Sequence, residues 1–105
     1  MKLLYIITIG LLLVGCGTPY YDVTLSNEGA SNINVRLTLD DDIILFAESG
    51  DTDTEAIESN MYYMKLDIHD AITNTVSIIE DSIEIDGDMT CYVMQPGHEP
   101  YYWVE

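Results

Sequence analysis

From position 20 onward, apolar and polar residues alternate in short runs, and that alternation sets the expected architecture. Tyr21, Val23 and Leu25 fall on one side of an extended segment, with Asp22, Thr24 and Ser26 on the other. This is the period-two pattern of a half-buried strand. Asn27-Glu28-Gly29-Ala30-Ser31 reads as a turn. Next comes the clearest strand of the chain, with Ile33, Val35, Leu37 and Leu39 opposed to Asn34, Arg36, Thr38 and Asp40. Asp40-Asp41-Asp42 turns the chain into residues 43–47, a run apolar on both sides. The polar stretch 49–60 is expected to be a loop, with at most one helical turn in its second half.

Residues 61–69 predict another strand, with Tyr62, Met64, Leu66 and Ile68 on one face. Over 75–85 the apolar parity changes from Val76 and Ile78 to Ile79, Ile83 and Ile85, which predicts a bulge or break near Glu80-Asp81. Asp86-Gly87-Asp88 predicts a tight hairpin into a partner strand over 89–95. Pro96-Gly97-His98-Glu99-Pro100 reads as a rigid turn before a last, aromatic strand, Tyr101-Tyr102-Trp103-Val104. About seven short strands, no long helix and turn signals roughly every 8–12 residues predict an all-β chain. The expected fold is a small antiparallel β-sandwich of immunoglobulin-like size, with a small closed β-barrel as the alternative.

The first residues break this pattern. After Met1-Lys2, positions 3–14 are almost continuously apolar, interrupted by Thr8 and Gly10. As a helix they span roughly 18 Å, short of the roughly 30 Å hydrocarbon core of a bilayer. The segment therefore reads as the apolar region of a signal peptide. It closes on Leu13-Val14-Gly15-Cys16, which resembles the lipobox of bacterial lipoproteins. The resemblance implies cleavage between Gly15 and Cys16 and a diacylglycerol group on the Cys16 sulfur, usually joined by an N-acyl chain. Two or more acyl chains hold a protein stably at a bilayer where one holds it only marginally. Gly17 is not the aspartate that retains such lipoproteins at an inner membrane. The implied location is a cell envelope: in a Gram-negative organism, the outer membrane facing the periplasm. The expected organisation is a signal peptide over 1–15, a lipidated cysteine with a short tether over 16–19, and one domain over 20–105. The tether reaches about 10 Å when extended, so the domain is expected to sit close to the membrane.

Charge narrows the partners. The chain has 19 acidic residues against three basic ones. Lys2 leaves with the signal, so 19 acids then face only Arg36 and Lys65, a side-chain balance of −17. Such a surface repels nucleic acid and anionic headgroups and favours a basic envelope or secreted protein, or cations. With Cys16 lipidated, Cys91 has no partner in its own chain, and its strand-like surroundings predict a small buried hydrophobe.

Acidic clusters, histidines and paired tyrosines are the candidates for chemistry. Asp51, Asp53 and Glu55 begin like a calcium loop, but Ala56 stands where glycine is needed and Tyr62 where a bidentate glutamate is needed. Glu84, Asp86 and Asp88 form a second acidic tip, so Ca2+ held by loop carboxylates is the alternative function to protein docking. His69, His98 and Cys91 show no zinc spacing. There is no nucleophile elbow or phosphate-cradling glycine loop, so no enzymatic activity and no cofactor beyond the covalent lipid are expected. The Ser-Gly-x-x-Tyr signature of small lysozyme-inhibitor lipoproteins is only half met, because Ser49-Gly50 is followed by Asp53 where tyrosine should stand. Tyrosines occur in pairs at 20–21, 62–63 and 101–102. Neighbours on a strand point to opposite faces, so each pair is expected to give one core ring and one outward ring. Tyr101, Tyr102 and Trp103 are the expected aromatic recognition surface.

Overall fold

The computed structural model describes residues 18–95 and 100–105. They form eight strands: β1 (Tyr20–Asn27), β2 (Ile33–Leu39), β3 (Ile43–Glu48), β4 (Thr52–Glu58), β5 (Asn60–Asp70), β6 (Thr75–Ile85), β7 (Met89–Met94) and β8 (Tyr101–Val104). Two four-stranded sheets, in the orders β4-β1-β7-β8 and β3-β2-β5-β6, pack as a sandwich. The fold is all-β, and the sheets do not close into a barrel. The lipobox and most of the 96–100 turn lie outside the described residues.

Alternation places the core. Val23 and Leu25 of β1, Ile57 of β4, and Cys91 and Val93 of β7 face inward from the first sheet. Against them lie Ile33, Val35, Leu37 and Leu39 of β2, Leu45 and Ala47 of β3, and Tyr62, Met64, Leu66 and Ile68 of β5. Fully burying an aliphatic side chain of this size contributes roughly 1.5–3 kcal/mol. This layer holds the domain together without a disulfide, since Cys91 is free and buried.

Four expectations need correction. The polar stretch 49–60 is largely strand: β4 pairs with β1 from Tyr20↔Glu58 to Ser26↔Thr52. Its sequence hides this because β4 is an edge strand that buries only Ile57. β6 has no bulge at Glu80-Asp81, since its antiparallel register with β5 runs unbroken from Asn60↔Ile85 to Asp70↔Thr75. Ile79, Ile83 and Ile85 keep the inward parity throughout, and the apparent switch arises because Val76 and Ile78 are outward and exposed.

The third correction concerns 86–88, which are a crossover between sheets and not a hairpin. β7 pairs with β1 in parallel, from Val23↔Met89 to Asn27↔Val93, and antiparallel with β8. Ile85 is fully buried in one sheet, and Asp88 Oδ1 accepts the Asp22 N–H at 2.9 Å in the other. The first sheet is therefore mixed and not purely antiparallel, while the eight strands of the described residues agree with the expected count of about seven.

The Asp40-Asp41-Asp42 turn is a hairpin between β2 and β3, as read from the sequence. Asp40 and Asp41 both take positive φ, 51° and 66°. That is the requirement of a type I′ turn, whose twist matches the flanking strands.

Candidate functional site

Outward positions of the second sheet assemble into cross-strand rows. One row runs Phe46, Arg36, Asp67, Ile78; the next runs Ile44, Thr38, Lys65, Glu80; the third runs Glu48, Asn34, His69, Val76. Ile44, Phe46, Val76 and Ile78 are each at least half exposed, with Val76 at 56% and Ile78 at 53%. They alternate with buried residues, so pairing register alone carries them to solvent. A shallow depression of about 340 Å³ lies among Asn34, Arg36, Phe46, Asp67, His69 and Val76. Arg36 Nη2 meets Asp67 Oδ2 at 3.2 Å, with the arginine side chain 55% exposed. An ion pair that open contributes little to stability. Arg36 and Lys65 thus both stand on this face, and acids elsewhere on the described surface have no cation beside them.

The tyrosine pairs divide as expected. Tyr62 is buried and Tyr63 exposed; Tyr21 and Tyr102 pack against the core while Tyr20 and Tyr101 are exposed. The expected aromatic surface is therefore split. Trp103 stacks on Tyr92 with centroids 5.1 Å apart and planes 12° from parallel, and on Tyr101 at 5.7 Å. Tyr92 was not singled out by sequence, and its register with Trp103 is what brings it in. These rings stack on one another, so part of their faces is already taken up. Tyr102 points the other way and donates its hydroxyl hydrogen to Asp81 Oδ2. That bond holds the Asp81 carboxyl below the usual carboxylate range and, with burial, pushes the Tyr102 phenol up to about 12.

The acidic candidates are dispersed. Asp53 Oδ2 accepts the Phe46 N–H at 3.0 Å, joining β4 to the edge of β3. Asp88 is committed to Asp22, as described above. Asp51 follows the end of β1 at Asn27, whose N–H donates to the Asp51 carbonyl at 3.1 Å, while Asp88 meets β1 near its start. The five steps from Asp22 to Asn27 span about 17 Å of strand, so the two acidic tips lie at opposite ends. Glu55 pairs with Val23, Glu84 with Met61, and Asp86 sits in the crossover. Among the described residues no group of three or more His, Cys, Asp or Glu side chains is placed to hold a metal ion. Cys91 is fully buried, and burial pushes its thiol up to about 12, far from the range of a nucleophile.

Sequence reasoning missed the lateral closure of the sandwich. Asp53 and Asp81 both have inward parity on edge strands, and each reaches across to the other sheet, to Phe46 N–H and to the Tyr102 hydroxyl. On β4, an inward-pointing charge such as Asp53 is one way an edge is kept from pairing with another chain. The detectable signal was an acid at an inward position, Asp81 between Ile79 and Ile83. Comparison with models of known families, with curated proteins and with solved structures gave no match.

Proposed function

We propose that this chain is a lipid-anchored, non-enzymatic lipoprotein of a bacterial cell envelope, whose sandwich docks a basic partner protein. Acyl chains on Cys16 hold it at the membrane, by default the periplasmic face of a Gram-negative outer membrane. The observation that carries the reading is the distribution of charge. Arg36 and Lys65 are the only Lys or Arg among the described residues, and Arg36 is already paired with Asp67, so most carboxylates of the sandwich go uncompensated. Charge of one sign accelerates encounter with a partner of the other and makes it dependent on salt.

Two measurements test this. Intact-mass analysis of the protein from bacterial membranes should show a chain beginning at Cys16 and carrying acyl groups; an unmodified thiol there would remove the anchor. Capture of envelope proteins by the full chain in detergent should enrich basic partners at low ionic strength and lose them as salt rises. Capture indifferent to salt would remove the charge-led docking.

A further inference from the structure

The open edge of β6 sets it apart from the other strands at the sheet margins. β8 is only four residues long. β3 and β4 are joined across the side of the sandwich, with Phe46 N–H bound by Asp53. β6 runs for 11 residues without interruption, a length of about 36 Å.

Which backbone groups face that open edge follows from the ladder. Asp40 N–H donates to the Tyr63 carbonyl and Tyr63 N–H donates to Asp40 Oδ1, so Tyr63 directs its backbone groups toward β2. Alternation in antiparallel pairing then gives the odd residues of β5 to β2 and the even ones to β6. Even residues of β5 oppose odd residues of β6, from Asn60↔Ile85 to Asp70↔Thr75. The even residues Val76, Ile78, Glu80, Ser82 and Glu84 therefore turn their N–H and C=O groups away from β5, to the open edge. Among these, Ser82 N–H is taken by Asp81 Oδ1. The same even residues carry their side chains on the outer face, in the order apolar, apolar, acidic, small, acidic.

We infer that the basic partner docks by adding an extended segment antiparallel to β6, pairing with Val76–Glu80, with apolar side chains beside Val76 and Ile78 and a basic one beside Glu80. This deepens the docking function proposed above and rests on it. Backbone hydrogen bonds to a free edge supply affinity and alternate side chains supply selection. The edge itself sets the chemistry of the occupant. A second copy paired across Glu80 would set acid against acid, whereas a segment reading basic then apolar from its N-terminus matches both halves at once.

The test uses the full chain in detergent micelles and a blocked peptide, Lys-Thr-Lys-Thr-Val-Thr-Val, with poly-lysine as a second probe. Peptide binding should slow amide hydrogen exchange at Val76, Ile78 and Glu80, while odd-numbered neighbours, already paired with β5, change little. Ile78→Pro removes one outward N–H and leaves the β5 ladder intact, a substitution that edge strands tolerate. It should weaken the peptide by about tenfold, the effect of one hydrogen bond lost with its partner left unpaired. Should that variant not fold, N-methylation of the peptide residue opposite Ile78 must give the same loss, and methylation of the next residue must not. Binding without protection of the even amides, or with both methylated peptides equivalent, overturns strand addition. Poly-lysine binding with no peptide binding overturns it too and leaves basic-partner docking standing. If neither probe binds at low salt, both readings fall. A dimer whose even amides are protected before peptide is added gives the edge to a second copy and overturns the inference.

Discussion

The side-chain amide of Asn27 donates from β1 to the carbonyl oxygen of Ala47 on β3 at 3.0 Å, across the gap between the sheets. The same nitrogen donates to the Ile33 carbonyl at 2.9 Å, and Asn27 Oδ1 accepts Gly29 N–H at 2.9 Å. Asn27 is fully buried. One amide thus fixes the end of β1, the start of β2 and the edge of β3, with each polar atom satisfied. Asn27→Leu should remove three hydrogen bonds made by a buried side chain, at about 1–3 kcal/mol for each group left unsatisfied. Urea unfolding should show a lowered midpoint at unchanged slope. A loss under 1 kcal/mol would mean that water replaces the amide.

Gly29 lies in the same corner. A Cβ built there would stand 2.9 Å from Ile33 Cβ and 3.0 Å from Asn27 Oδ1. Gly29→Ala should therefore cost about 1–3 kcal/mol, as overpacking does. Gly87→Ala is the control, because a Cβ at Gly87 meets nothing within 4 Å. Thermal melts of the two variants should differ in that order.

Cys91 should resist alkylation in the native protein at pH 8 and react fully in denaturant. Its thiol is raised to about 12 in the folded state, against about 8.5 in an unfolded chain. A raised acid contributes stability that is complete below the unfolded value and is lost as pH climbs from about 8.5 toward the folded value. Stability measured from pH 8 to 10 should fall for the wild type and fall less for Cys91→Ala, whatever the absolute cost of the smaller side chain. Equal slopes would show that the thiol is not buried.

The bond between Tyr102 and Asp81 predicts behaviour at the acid end. Asp81 is held below the usual carboxylate range first by the Tyr102 hydroxyl and then by the Ser82 N–H. A lowered carboxyl contributes stability that is present above its unfolded value, about 3.9, and lost as pH falls through the folded one. Tyr102→Phe should flatten acid unfolding in that window without altering its course near neutrality. Asp70, lowered by Asn32 and by the backbone of its own turn, keeps its share in both proteins.

Much of the fold was legible because most strands of this chain bury one face. Ile33, Val35, Leu37 and Leu39 declare β2, and Tyr62, Met64, Leu66 and Ile68 declare β5, since period-two burial leaves its mark in composition. The pairwise split of the tyrosines follows from the same rule. β4 left no such mark: one buried residue, Ile57, cannot produce alternation, and what makes 52–58 a strand is β1 alongside it.

By itself, then, the sequence determined the all-β class, most strand positions and the acidic balance, and it carries the motif from which a lipid on Cys16 is proposed. It did so because local alternation, turn chemistry and charge are properties of neighbours along the chain. Only the tertiary structure decided that β7 lies parallel to β1, that Asp53 and Asp81 close the two sides of the sandwich, and that the even residues of β6 face an open edge. Each of those depends on which strand is adjacent in space, and hydrogen-bond direction and sheet order are set by packing between residues distant in sequence.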